Sequence, residues 1–135
     1  MTPETEGLII RLRERLRERP DLHLAVLFGS QARGKARPDS DLDLAVLGDQ
    51  LDTLSLARDL SLATDLEVDV IDLGQDLGYP LLNAIVRDAI FVFQGRPNAG
   101  GRWLSNSLLQ LELDRTWYER MRNAYLKGLA EGAHG

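Results

Sequence analysis

An apolar run that breaks at a glycine–serine pair and resumes as alternating aspartate and leucine limits this chain more than any other feature. Leu22–Phe28 (LHLAVLF) ends on Gly29-Ser30, and Asp41–Leu47 (DLDLAVL) follows after ten residues, 31–40. Both runs are short, apolar and bounded by turn residues, the pattern of buried strands. Side chains of a strand alternate between faces, so Asp41 and Asp43 project together while Leu42 and Leu44 face the other way. Two carboxylates side by side on a buried sheet repel each other and lose hydration. They are tolerable where a divalent cation or a proton sits between them.

The rest of the chain supplies the partners for such a sheet. Thr2-Pro3-Glu4 is a helix start, with a capping hydroxyl, proline in the first turn and an acid near the positive dipole end. Leu8, Ile9, Leu12 and Leu16 form one apolar face of that helix, and Pro20 ends it. Ser30–Ala36 is expected as a short helix or turn, stopped by Arg37-Pro38-Asp39. Residues 52–64 read as a helix capped by Asp52 or Thr53. Leu66–Leu73 (LEVDVIDL) alternates and is β-branched, so it is a third strand. Gly74–Pro80 is a loop, 81–88 a helix, Ile90–Phe93 a last strand, and Gly95–Asn98 a turn. Residues 102–130 form the longest helical pattern. A chain of 135 residues is one domain by size, spanning 1–135. Alternating elements imply an α/β (α+β) fold with helices packed on a sheet of about four strands.

Composition narrows the chemistry. There is no cysteine, and His23 and His134 are the two histidines. Any metal must therefore be held by oxygen, which points to magnesium or manganese. The net charge of -5 argues against broad binding to nucleic acid. No apolar run approaches the ~20 residues of a membrane span, and the charged N-terminus is no secretory signal. A cytoplasmic protein is expected.

Gly29 lets the backbone approach a phosphate closely. Ser30 offers a hydroxyl at the start of a helix turn whose free amides favour an anion. Arg33, Lys35 and Arg37 follow, and Arg33 is the first candidate to reach a phosphate; its plain alternative is a salt bridge to a nearby acid. Lys35 and Arg37 read more simply as solvated. A third carboxylate is expected on the strand at 66–73, where Glu67 and Asp69 share one face and Asp72 lies on the other. Asp69, mid-strand, is assigned as the third metal ligand and as the group that helps remove a proton from the attacking hydroxyl. Glu67 reads as a surface residue and Asp72 as a cap at the strand end. For Asp41 and Asp43 the plain alternative is a solvated edge strand; for Asp69 it is the exposed face of one. Gly29–Ala36 also matches the phosphate-loop pattern G-x4-G-K, but Ala36 replaces the required hydroxyl and Pro38 would break the following helix.

Gly29-Ser30, ten residues, then Asp41-Leu42-Asp43 resembles the nucleotidyltransferase superfamily of DNA polymerase β. The fuller string from Gly29 to Leu44 is similar to the minimal nucleotidyltransferases (MNT) of prokaryotes, and Val68-Asp69-Val70 fits as well. The resemblance covers residues 22–94 and fades in the first helix and after residue 95. It implies a polymerase β-type fold with a mixed sheet. Asp41, Asp43 and Asp69 would bind two Mg2+ ions, and Gly29, Ser30 and Arg33 the phosphates of ATP. It implies transfer of a nucleoside monophosphate onto a hydroxyl, with pyrophosphate leaving. Minimal nucleotidyltransferases are commonly encoded beside a HEPN-domain protein. The implied role is then an antitoxin that adds AMP from ATP to a tyrosine of its HEPN toxin, a protein adenylyltransferase in a toxin–antitoxin system. The alternatives are a nucleotide-binding antitoxin that occludes its partner, or transfer to a small molecule. Gln31 departs from relatives that carry arginine there, which removes a phosphate contact.

The C-terminal helix carries two apolar stripes. Leu104, Leu111, Tyr118 and Tyr125 recur every seven residues with Leu108 between the first two; Leu109, Leu113, Trp117 and Met121 form the second. One stripe is expected on the sheet. A helix apolar on more than one face needs more than one neighbour, so a homo-oligomer or partner interface is expected.

Overall fold

The computed structural model describes residues 2–37 and 40–132, so His134 and the proposed stop at Pro38-Asp39 lie outside the described residues. The elements run α1 (Pro3–Leu16), β1 (Leu22–Phe28), α2 (Gly29–Ala32), β2 (Leu42–Gly48), α3 (Thr53–Thr64), β3 (Val68–Asp72), α4 (Tyr79–Asp88), β4 (Ile90–Gln94) and α5 (Ala99–Gly132). The strands form one mixed sheet in the order β3-β2-β1-β4. β1 pairs antiparallel with β2 and β4, while β2 and β3 run parallel. A parallel pair needs a long crossover, which α3 supplies.

Capping chemistry sets the helix starts. The Thr2 hydroxyl accepts from the Thr5 amide at 3.1 Å, and Asp52 accepts from the Ser55 amide at 3.1 Å. α1 ends at Leu16, four residues ahead of Pro20. α4 begins at Tyr79, two residues before the expected start at 81, with Pro80 in its first turn, where a missing amide costs nothing.

The sheet is covered on both faces. Leu42, Leu44 and Val46 of β2 point to α1 and α3, against Leu8, Leu12, Leu56 and Leu60. Leu24, Val26 and Phe28 of β1, with Ala45, point to α4 and α5, against Leu82, Ile85 and Trp103. β1 is buried at nearly every position, as its continuous apolar sequence requires.

α5 starts at Ala99, earlier than the expected 102, because Gly100 is packed against Phe91 and donates its amide to the Gln94 side chain at 2.9 Å. Its 34 residues span about 51 Å. Trp103, Ser107 and Leu111 are buried on the domain, but from Glu112 onward no residue of the helix is buried. The heptad stripe therefore divides: Leu111 is buried, Leu108 is exposed, and Tyr118 and Tyr125 run out beyond the core. Among the described residues no helix is long and apolar enough to cross a membrane.

Candidate active site

Asp43 is the centre of the expected site, and the sheet register decides its neighbours. It is the second residue of β2, opposite Phe28 of β1 on one side and Asp69 of β3 on the other. Leu42, between the two acids of the motif, is fully buried on the α1/α3 face. Asp43 therefore points to the opposite face and is half-buried, while Asp41, one residue ahead of the strand, is exposed.

Two features of the site differ from the expectation. Asp41 does not lie on a buried sheet. Asp69 is the second residue of β3, an edge strand, and is exposed, so burial is not what singles it out. Parallel register with Asp43 does so instead. Glu67 is a surface residue and Asp72 caps a turn, accepting from the Gly74 amide at 2.8 Å, both as expected.

The turn between β1 and β2 is built onto the same carboxylate. Gly29 has φ +76, and a Cβ placed on it would collide with the Asp43 carboxylate. The chain can pass this close to Asp43 only without a side chain, in a backbone region that L residues avoid. Gly29 and Ser30 open the single turn of α2, closed by the Arg33 amide on the Gly29 carbonyl at 3.1 Å. Gln31, where an arginine was expected from the family pattern, donates to the Ser40 carbonyl at 3.2 Å. It thereby ties α2 to the residue that precedes Asp41, a structural use that sequence reasoning missed.

Arg33 is exposed and forms a salt bridge at 2.8 Å with Asp88, the last residue of α4. The ion pair, the plain alternative for this arginine, is what the structure contains. Asp88 also escaped the sequence reading, although an acid at the C-terminal end of a helix, against the dipole, was a usable signal.

Electrostatics mark Asp43. Burial pushes its carboxyl above the ordinary value; the charges of Asp69 and Asp41 push it further, and the Arg33 guanidinium pulls it back. A carboxylate crowded by two others gains from a cation between them. Asp43 and Asp69 also line an open cleft of about 530 Å³ with Phe28, Thr53, Leu54 and Leu81. A second cavity, of about 560 Å³, lies at the far end of the same sheet face under Trp103 and holds none of these acids. His23, at its mouth, bonds Asp49 at 3.0 Å, as a structural histidine would.

Among the described residues no three His, Cys, Asp or Glu side chains are gathered tightly enough to hold an ion alone. The oxygen-only donor set fits magnesium, which keeps several waters and binds through one or two carboxylates plus substrate phosphates.

Comparison with known proteins bears on this arrangement. A family model described as polymerase beta, nucleotidyltransferase matches residues 11–97. The protein adenylyltransferase MntA of Shewanella oneidensis is 44% identical over 73 residues, which are 50% of this chain and 50% of that protein. The chain thus spans about half the length of the curated relative it matches. A crystal structure of a toxin–antitoxin with AMP-PNP superposes with a TM-score of 0.71 at 26% identity, covering 90% of this chain and 98% of the other. A tri-AMPylated Shewanella oneidensis HEPN toxin in complex with an MNT antitoxin matches at TM-score 0.64 and 23% identity, over 91% and 96% of the two chains, a likeness of fold alone.

Proposed function

Because this chain belongs to the polymerase β nucleotidyltransferase family, we propose that it is a magnesium-dependent enzyme that transfers AMP from ATP to a tyrosine hydroxyl of a HEPN-domain toxin. The observation that carries this reading is the register of Asp43 with Asp69 beside a glycine turn that only glycine can make. The named relative is a protein adenylyltransferase, and the AMP-PNP-bound neighbour is a toxin–antitoxin assembly. Both support a nucleotide substrate and a protein acceptor.

In this reading Gly29 and Ser30 receive the triphosphate, and Arg33 adds positive charge beside them. Asp41 and Asp43 hold the metal ions, with Asp69 joining one of them. Bound magnesium supplies charge neutralisation at the phosphates and the attacking oxygen. Asp69 takes the proton of the acceptor hydroxyl as its oxygen forms a bond to the α-phosphorus and pyrophosphate leaves in line. The cleft at Asp43 and Asp69 is open, which suits an acceptor that brings its own binding surface.

The test mixes the chain with labelled ATP, magnesium and a HEPN-domain toxin. Label transfer that disappears in Asp41→Asn with Asp43→Asn is the expected result. Neutralisation of the toxin that survives those substitutions, without transfer, would replace the enzyme with an occluding nucleotide-binding antitoxin. Transfer to a small molecule and not to the toxin would replace the acceptor.

A further inference from the structure

Asp88 is not needed by the reaction above, yet it is among the most elaborately paired side chains of the described residues. It stands at the C-terminal end of α4, where the helix dipole disfavours an acid, and its side chain is only 5% exposed. A buried carboxylate must be paired. Arg87 already does this with two bonds, one to each oxygen, at 3.1 and 3.3 Å. Arg33 arrives in addition, from 55 residues away, at 2.8 Å.

We propose that Asp88 is a positioning residue that holds the Arg33 guanidinium off Asp43 and so keeps that carboxylate free for a divalent cation. The inference rests on the reading of Asp41, Asp43 and Asp69 as the metal-binding acids.

The geometry gives Arg33 a choice of two anions. It closes the turn of α2 through the Gly29 carbonyl, and Gly29 is the residue whose backbone lies against the Asp43 carboxylate. Its side chain is 43% exposed. Asp43, flanked by Asp69 in register and by Asp41 two residues upstream, is a strong attractor for a guanidinium. An arginine carries a fixed charge and a fork of donors suited to carboxylates, so once seated on Asp43 it would compete directly with the metal. Asp88 prevents this by offering, at the end of α4, a carboxylate that holds Arg33 at 2.8 Å. A plain structural role, in which Asp88 only pins α2 to α4, differs in what removal of Arg33 does.

The experiment measures Mn2+ uptake by the chain without nucleotide, from the electron paramagnetic resonance signal of the free ion. Wild type, Asp88→Asn, Arg33→Ala and the double variant are compared, with thermal melts in chelator to confirm folding. Asp88→Asn is expected to weaken Mn2+ binding about fivefold, the worth of one partly exposed ion pair that the metal must now break. The double variant is expected to recover wild-type affinity, because the competing guanidinium is gone. Arg33→Ala alone is expected to bind Mn2+ at least as tightly as wild type. Affinity unchanged in Asp88→Asn, or lost equally in the double variant, overturns the proposal in favour of simple pinning. Should Asp88→Asn fail to fold, weaker Mn2+ binding by Arg33→Ala overturns it just as well. A wild-type chain that takes up no Mn2+ while folded overturns the metal-site reading itself, and this proposal with it.

Discussion

The Asp43 carboxylate occupies the space that a side chain on Gly29 would need. The turn that carries Ser30 and the strand that carries the acids are therefore one built unit. Gly29→Ala is predicted to damage both at once. The left-handed backbone at φ +76 costs about 1–2 kcal/mol for any residue with a Cβ, before the collision is counted. The expected result is a melting temperature lower by several degrees and AMP transfer reduced at least ~100-fold, since misplacing groups by about 1 Å costs that much. Gly7→Ala in α1, where an added Cβ meets nothing within 4 Å, is the control and should be neutral or stabilising.

The acidity of Asp43 makes a prediction with a definite sign. Its folded-state value lies above the ordinary 3.8, first through burial and then through Asp69 and Asp41. A carboxyl that binds its proton more tightly when folded contributes stability below the unfolded value and loses it as pH rises through the raised folded value. At neutral pH the ionised Asp43 therefore weighs against the metal-free fold. Asp43→Asn is predicted to melt higher than wild type in chelator at neutral pH, with the gap closing as pH falls toward 3.8. Added magnesium should raise the melting temperature of wild type and leave that of Asp43→Asn unchanged. A variant that melts lower than wild type in chelator at neutral pH would contradict this account of the site.

What the sequence disclosed depended on how local the cause was. The bounds of β1 and the alternation around Leu42 are properties of a few consecutive residues and could be read directly; glycine at position 29 was read for its approach to a phosphate, whereas its contact with the Asp43 carboxylate is tertiary. Asp69 was selected for an incorrect reason: it is exposed near the start of an edge strand, and only the parallel register places it beside Asp43. Register between strands separated by a crossover helix is a tertiary property, so pattern alone could not supply it. The same limit hid the Arg33–Asp88 pair, whose members are 55 residues apart. The last helix was expected only from 102, and the glycines at 100 and 101 disfavour helix. Packing on Phe91 and the Gln94 cap override that preference.

Asp69 and Asp43 share a register row but differ in burial, and that separates their roles. Asp69 is exposed, where an acceptor hydroxyl arriving from solvent can reach it, while Asp43 is half-buried against the Gly29 turn. Asp69→Asn is predicted to lower kcat at least ~100-fold, within the range of general-base losses, while ATP affinity changes less than about threefold. Single-turnover transfer and equilibrium nucleotide binding, measured on the same protein, check this. Equal loss of both would reduce Asp69 to a metal ligand.

The exposed stripe of α5 carries the last prediction. Trp117 is 56% exposed and Met121 53%, on a helix whose earlier turns are buried by the domain. Tyr79 packs on Tyr118 with ring centroids 5.2 Å apart, the furthest aromatic contact along this helix among the described residues. Beyond it Met121, Tyr125, Leu126 and Leu129 are all more than half exposed, a cost in water that a monomer gains nothing from. Trp117→Glu with Met121→Glu touches no core residue, so the melting temperature should move by no more than a few degrees and Mn2+ uptake should not change. If the stripe is the face that meets the acceptor protein, the double variant loses at least ~10-fold in partner affinity, as large apolar anchors do, and AMP transfer to the partner falls in proportion. If it pairs two copies of this chain instead, sedimentation shows a dimer in wild type and a monomer in the variant, with partner affinity intact. A variant indistinguishable from wild type in both measurements would show that the stripe is not an interface.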